Sequence, residues 1–240
     1  MCGAKCDSGP GADVTCRGLL KTRCKIDLSA LPSHTGDVSY AADYWEEIYS
    51  TKLMSDVSWY QREPEVSLRL VTSVSSAASA VIDVGAGASF LADRLLALDY
   101  TDVTLLDVSQ RALDEVVARI GDDVNRLHCV QCDILAWSPD RLYDVWHDRA
   151  VFHFLSEPEQ RARYVEIATK TLCSGGALVL GVFAEDGPAQ CSGLSVVRYT
   201  PDELGETFGP SFVLESNERE EHVTPSGVVQ HFTWVVLRKQ

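Results

Sequence analysis

The stretch that decides the fold is residues 80–89, which read A-V-I-D-V-G-A-G-A-S. Strand-forming residues at 81–84 lead into two glycines, Gly85 and Gly87. Apolar residues then recur at helical spacing at Phe90, Leu91, Leu95 and Leu96. The pattern predicts a strand, a tight turn and a helix. Because glycine has no Cβ, a ligand can approach the backbone at this turn, where the first N–H groups of the helix lack helical partners. A nucleotide-like ligand is the expected occupant.

A second short apolar strand is predicted over residues 101–107, and it ends in Asp107. Asp107 follows Gly87 by about 20 residues, the distance at which a ribose-binding acid follows such a loop. A carboxylate at the end of a strand can accept hydrogen bonds from both ribose hydroxyls. Asp107 is therefore the first candidate for holding a nucleoside, against the alternative of a solvated acid before a helix.

The dinucleotide-binding fingerprint is incomplete, because Phe90 stands where its third glycine belongs. The segment instead resembles the first motif of the class I S-adenosylmethionine-dependent methyltransferases, which has an acid two residues before the first glycine, here Asp83. The resemblance covers residues 37–240. It implies S-adenosyl-L-methionine as cofactor, S-adenosyl-L-homocysteine as product, and a Rossmann-like doubly wound α/β sheet of seven strands, mostly parallel with a C-terminal antiparallel hairpin.

The remaining pattern agrees with one such domain over residues 37–240, with lid helices at 37–75 and a poorly ordered, cysteine-containing extension at 1–36. Further strands are predicted at 127–133, 143–146, 177–183, 212–222 and 228–237. Helices are predicted at 37–52, 64–74, 110–120, 158–173 and 201–208.

The cofactor site implied by the resemblance includes the glycine turn and the ends of the next three strands. Asp133 resembles the acid that accepts the adenine amine in the family. The residues expected to bind the cofactor are Asp83, Gly85, Ala86, Gly87, Asp107, Val108, Asp133, Ile134 and His147, with Tyr44 and Trp45 from the lid.

The binding site for the methyl acceptor is expected at residues 146–155, which read W-H-D-R-A-V-F-H-F-L. Ligands bind at the carboxyl ends of parallel strands near the point where strand order reverses. The catalytic candidates are His147, Asp148, Arg149 and His153. Alternatively, the acid and the arginine pair with each other, and one histidine is an ordinary buried polar residue. The residues expected to bind the acceptor are Trp59, Tyr60, Phe152, Cys191 and Arg198.

The formal charge of −14 argues against a nucleic-acid partner, because affinity for phosphates requires clustered Lys and Arg. The chain has no apolar run of eighteen residues and no apolar block at its N-terminus, so we expect a cytoplasmic protein without a membrane partner, and a monomer or weak dimer. The four N-terminal cysteines among the eight lack the paired spacing of zinc ribbons, and a soft-metal site there is the alternative. Cys129 and Cys132 form C-x-x-C, but on the predicted strand they point to opposite faces. We interpret the eight cysteines as buried or free thiols, and we expect no metal.

The sequence thus predicts an S-adenosylmethionine-dependent methyltransferase with a small-molecule acceptor; Cys191 suggests a thiol or another soft nucleophile. A protein lysine N-methyltransferase is the first alternative, since the chain is similar to the elongation-factor lysine methyltransferases. Those have Asp/Glu-Lys-Gly where residues 148–150 read Asp-Arg-Ala. A nicotinamide-dependent oxidoreductase or a non-catalytic nucleoside-binding module is the alternative of another class.

Overall fold

The computed structural model describes residues 36–240, with side chains from Ala42 onward. The helices are α1 Gly36–Thr51, α2 Glu65–Ser73, α3 Leu91–Ala97, α4 Gln110–Ile120, α5 Pro158–Thr171 and α6 Pro201–Phe208. The strands are β1 Val81–Val84, β2 Val103–Asp107, β3 Leu127–Gln131, β4 Tyr143–Arg149, β5 Leu172–Phe183, β6 Gln190–Cys191, β7 Leu194–Ser195, β8 Phe212–Val223 and β9 Val229–Lys239.

Seven of these strands form one sheet in the order β3-β2-β1-β4-β5-β9-β8. The first five are parallel, and β9 is antiparallel to both β5 and β8. The predicted α/β sheet with a C-terminal antiparallel hairpin is confirmed. Strand order reverses between β1 and β4, and open α/β sheets bind ligands outside the carboxyl ends of the strands at such a point.

The sheet is buried on both faces, as expected for parallel strands covered by helices. Alternate residues of β1 enter different cores, because side chains alternate across a strand. Ile82 packs with Trp146 and with Tyr164 of α5, whereas Val81 packs with Leu95 of α3 and Leu113 of α4. The two cores hold the carboxyl ends of β1, β2 and β4 side by side.

The strand β4 extends to Arg149, three residues beyond the predicted end. Pairing on both sides explains the extension, because Asp148 pairs with Val84 and Arg149 with Gly181. The two-residue strands β6 and β7 were not predicted, since strands so short carry no periodicity. Cys132 is disulfide-bonded, so the expectation of buried or free thiols is wrong for this residue.

No helix within residues 36–240 is both long and apolar enough to cross a membrane. The predicted extension over residues 1–36 lies outside the described part of the chain, except that Gly36 begins α1.

Candidate functional site

The turn after β1 requires glycine at both predicted positions. Gly85 and Gly87 have φ angles of +63° and +53°, in the left-handed region that L side chains rarely adopt. A Cβ on Gly85 would lie 1.9 Å from Cγ2 of Val151. The backbone N–H groups of Gly85 and Ala86 both donate to the Leu106 carbonyl, at 2.7 and 3.1 Å, which fixes the turn against β2.

Asp107 holds this turn from the end of β2. Its Oδ2 atom accepts a hydrogen bond from the Gly87 N–H at 2.8 Å, and its Oδ1 atom accepts one from the Ser109 N–H at 2.8 Å. Burial raises the pKa of Asp107 to about 6. A carboxylate has about four acceptor sites, so these two bonds leave capacity for the hydroxyls of a ligand.

Helix α1 covers the glycine turn because Glu46 attaches it to the start of α4. The Glu46 Oε1 atom accepts hydrogen bonds from the N–H groups of Gln110 and Arg111, at 2.7 and 3.3 Å. These are N–H groups that a helix N-terminus leaves without partners. One turn further along α1, the hydroxyl of Tyr49 lies 2.4 Å from the position that a Cβ on Gly87 would take. Burial raises the pKa of Tyr49 far above its usual value, so the phenol stays protonated.

Aromatic side chains connect α1 to the loops around the site. The ring of Trp45 makes edge contacts with Trp59 and Phe154, at centroid distances of 5.7 and 5.5 Å. The hydroxyl of Tyr44 donates to the Ser192 carbonyl in the turn between β6 and β7. The predicted lid residues therefore hold α1, the loop after β4 and the loop after β5 together.

A cavity of about 550 Å³, including its open mouth, lies between this cover and the carboxyl ends of β1 and β4. Its walls are Tyr49, Met54, Trp59, Tyr60, Gln61, Pro64, Ser67, Asp83, Gly85, Ala86, Gly87, Ala88, Ser89, Phe90, Leu91, His147 and Arg149.

An acid–imidazole pair forms the floor of the cavity. Asp83 and His147 are both 3% exposed, and Oδ1 of Asp83 lies 2.7 Å from Nδ1 of His147. Because a carboxylate only accepts hydrogen bonds, the neutral imidazole that suits this contact has its proton on Nδ1 and leaves Nε2 as an acceptor. The Nε2 atom is buried without a hydrogen-bond partner. An imidazole in this state can take a proton from a bound molecule.

Arg149 lies two residues beyond His147 on the same strand. Its Nη1 atom donates to the Trp59 carbonyl at 3.0 Å, and its guanidinium carbon lies 4.7 Å from the centroid of the Phe232 ring. Burial lowers the pKa of Arg149, while the negative charge of Glu220 opposes the shift. The Nε and Nη2 atoms have no hydrogen-bond partner.

The other two catalytic candidates lie outside the cavity wall. Asp148 accepts hydrogen bonds from the N–H groups of Val151 and Phe152, at 2.9 and 3.1 Å, and from the hydroxyl of Tyr164. Burial raises its pKa to about 6. His153 is fully buried, and burial lowers its pKa to about 3, with the charge of Arg149 adding to the effect.

The remaining predicted residues are distributed more widely. Of the expected cofactor residues, Asp83, Gly85, Ala86, Gly87 and His147 line the cavity, whereas Tyr44, Trp45, Asp107, Val108, Asp133 and Ile134 do not. Of the expected acceptor residues, Trp59 and Tyr60 line it. Phe152 is in the core, Cys191 is buried, and Arg198 is exposed and donates to the Gly187 carbonyl at 3.2 Å.

Several residues of the wall were not predicted as site residues. Tyr49 is the main example, and it stands one helical turn after Trp45 on the aromatic face of α1, which was the available signal. Ser67 and Gln61 also line the cavity, and nothing in the sequence distinguishes them from surface or core residues.

Comparison with known proteins finds methyltransferases, in agreement with the sheet order described above. Residues 81–176 match a family model described as a methyltransferase domain. No curated protein sequence matches the chain.

Solved structures of methyltransferases share the whole architecture at low identity. An S-adenosylmethionine-dependent methyltransferase from Anabaena variabilis is 15% identical, covers 89% of this chain and 99% of its own, and has a TM-score of 0.67. The N-methyltransferase NodS from Bradyrhizobium japonicum, solved with S-adenosyl-L-homocysteine, is 19% identical over 81% of this chain and 98% of its own, with a TM-score of 0.62. The 1,6-didemethyltoxoflavin-N1-methyltransferase from Burkholderia thailandensis, with its acceptor and S-adenosylhomocysteine bound, is 18% identical over 84% and 85%, with a TM-score of 0.60.

Proposed function

We propose that this chain is an S-adenosylmethionine-dependent methyltransferase. Its residues 81–176 match the methyltransferase-domain family, and its fold is that of class I methyltransferases. One observation carries the proposal: Asp107 bonds to the Gly87 N–H beside a cavity at the point where strand order reverses. This is the arrangement that holds an adenosyl ribose and leaves the rest of the ligand above β1 and β4.

The cofactor is S-adenosyl-L-methionine, and the product is S-adenosyl-L-homocysteine. The residues present fit it, because the turn has no Cβ and Asp107 keeps free acceptor sites for two ribose hydroxyls. By resemblance to the family, Asp133 would accept the adenine amine, and Val108 and Ile134 would lie beside the ring. Because the Tyr49 hydroxyl lies against Gly87, we expect α1 to shift when the cofactor enters.

When bound, the cofactor supplies an electrophilic methyl group on a sulfonium. The protein holds the acceptor in line with that group and excludes water, and alignment of this kind can contribute about 7–11 kcal/mol. The Nε2 atom of His147 accepts the proton that an amine or hydroxyl acceptor loses as its lone pair forms the new bond. Asp83 stabilises the resulting imidazolium through Nδ1.

The acceptor is a small molecule, because the cavity is covered by the aromatic side chains of Tyr49, Trp59 and Tyr60. A thiol acceptor was suggested by Cys191, but this residue lies outside the cavity wall, and burial raises the pKa of its thiol to about 11. The thiol hypothesis therefore rests on the cysteine content alone. A protein lysine is the alternative acceptor, and the net charge of −14 would suit a basic protein surface.

Titration calorimetry tests the cofactor. We expect S-adenosylhomocysteine to bind and NADH not to bind, and we expect Asp107→Ala to weaken the former about 10–100-fold, as for hydrogen bonds to a charged group. The 2′-deoxy analogue of S-adenosylhomocysteine is the matched control, because Asp107→Ala should affect its binding less. Binding of NADH alone, or unchanged affinity in Asp107→Ala, would contradict the proposal.

Transfer of a tritiated methyl group tests the acceptor class. The protein is incubated with labelled S-adenosylmethionine and either a metabolite extract or the protein fraction of a lysate. Label in small molecules with none in protein supports the proposal. A labelled protein band whose label is found on lysine favours the lysine alternative.

A further inference from the structure

Arg149 has an unused hydrogen-bonding edge in the cavity wall. Its Nη1 atom is occupied by the Trp59 carbonyl, but its Nε and Nη2 atoms are buried and have no partner. These two nitrogens lie on the same edge of the guanidinium, where their N–H bonds are parallel. Such an edge fits the two oxygens of one carboxylate.

No residue among 42–240 accepts a hydrogen bond from the Nε or Nη2 atom of this guanidinium. Glu220 is the acid whose charge acts on it most, but Glu220 accepts no hydrogen bond from the Nε or Nη2 atom, and its two oxygens bond to other side chains. One accepts from Nε2 of Gln61 at 2.6 Å, and the other accepts from Nε1 of Trp234 at 2.8 Å. Arginine keeps its proton in proteins, and a buried charge normally has a partner. An anion that enters the cavity would supply the partner that these two nitrogens lack.

The position of Arg149 favours the acceptor as the source of this anion. The glycine turn and Asp107 lie at the ends of β1 and β2, whereas Arg149 pairs with Gly181 of β5 and packs on Phe232 of β9. His147 and Arg149 are two residues apart on one strand, so they face the same side about 7 Å apart. A molecule held by Arg149 at one end reaches His147 with the other.

We propose that the Nε–Nη2 edge of Arg149 binds a carboxylate of the methyl acceptor, so that the acceptor is a small carboxylic acid whose nucleophilic atom is at the opposite end, near His147. Trp59 and Tyr60, which line the cavity, suit an aromatic ring in the part of the acceptor between the two ends. This inference rests on the proposed function.

Para-substituted benzoates test the inference because they have this length and shape. The probes are 4-hydroxybenzoate, 4-aminobenzoate and 4-mercaptobenzoate, each against its neutral amide, and binding is measured by calorimetry with and without S-adenosylhomocysteine. We expect the wild-type protein to bind at least one acid ten or more times more tightly than its amide. Arg149→Met should abolish this preference, and Arg149→Lys should keep only part of it, because an ammonium lacks the two-pronged edge.

Equal binding of acids and amides, binding of neither, or an unchanged preference in Arg149→Met would overturn the inference. Melting curves check that both variants fold, and if the Met variant does not fold, the Lys variant decides. A second arm compares S-adenosylhomocysteine with 5′-methylthioadenosine, which lacks the carboxylate. If Arg149→Met weakens the binding of S-adenosylhomocysteine but not that of 5′-methylthioadenosine, the Nε–Nη2 edge binds the carboxylate of the cofactor, and the inference is overturned.

Failure of the proposed function gives a different result. In that case the wild-type protein binds no S-adenosylhomocysteine, while the comparison of acids with amides in its absence still decides the role of Arg149.

Discussion

Asp83 and His147 are register partners on neighbouring parallel strands, and their side chains meet at 2.7 Å on the floor of the cavity. The pairing of β1 with β4 therefore places a carboxylate against one nitrogen of an imidazole that lines the cavity, and the other nitrogen has no hydrogen-bond partner. Neither residue is adjacent to the other in the sequence, and the sheet register alone brings them together.

His147→Gln should lower the rate of methyl transfer to an amine or hydroxyl acceptor about a hundredfold or more, because general-base catalysis contributes about 10²–10⁴-fold. We expect the affinity for S-adenosylhomocysteine to change by less than about threefold, which calorimetry would measure. His128→Gln is the matched control, since His128 also lies near an acid, Asp102 at 3.8 Å, but at the β3 edge away from the cavity. A fully active His147→Gln enzyme would remove the base role.

Gly87→Ala should abolish binding of S-adenosylhomocysteine and destabilise the protein. The added Cβ would meet the Tyr49 hydroxyl at 2.4 Å, in a backbone conformation with φ of +53°. Gly121→Ala is the control, because its φ is +66° with no atom within 4 Å, so it carries only the cost of backbone strain, about 1–3 kcal/mol. Urea unfolding measures both variants. Adding Tyr49→Phe to Gly87→Ala should recover part of the stability; no recovery would mean that the clash is not with the hydroxyl.

Glu46→Ala should detach α1 from the start of α4. Losing the acceptor for the N–H groups of Gln110 and Arg111 is comparable to losing a helix cap, which costs about 0.5–2 kcal/mol. We expect hydrogen exchange of the α1 amides to become about fivefold faster, corresponding to about 1 kcal/mol. Glu47→Ala is the control, since its side chain is exposed on the same helix. Equal exchange in the two variants would show that Glu46 does not hold α1.

His153→Leu should reduce the acid sensitivity of the fold. The pKa of His153 is about 3 in the folded protein, against about 6.5 in an unfolded chain. As the pH falls below 6.5, the unfolded chain therefore binds a proton that the folded protein does not, and stability is lost. Between pH 7 and pH 5 this loss is about 2 kcal/mol. Urea unfolding at both pH values should show the wild-type protein losing about that much more than His153→Leu; equal losses would contradict the assigned pKa.

Local sequence patterns were sufficient to predict the helices, the strands and the glycine turn. The predicted bounds of α4 and α6 agree with the structure, because the apolar stripe of α4 and the Thr200 cap with Pro201 in α6 are local signals. The apolar strands and the C-terminal hairpin likewise predicted the sheet, since alternation and turn residues are encoded over a few positions.

The choice of residues that form the site depended on contacts between residues that are far apart in the sequence. Four polar candidates near the end of β4 looked equivalent in the sequence, yet the structure turns His147 and Arg149 into the cavity wall and Asp148 and His153 away from it. Strand alternation separates His147 and Arg149 from Asp148, and His153 lies in the short helical turn after β4. Only the packing of helices on each face decides which face opens to a ligand.

The sequence by itself determined the glycine turn, the acid at the end of the second strand and the order of helices and strands, because each depends on residues close together in the chain. Only the tertiary structure decided that Tyr49 covers the turn, that Asp83 supports His147 and that Arg149 keeps a free edge. Those relationships join residues about 40–90 positions apart, and they exist because sheet register and helix packing bring the side chains together.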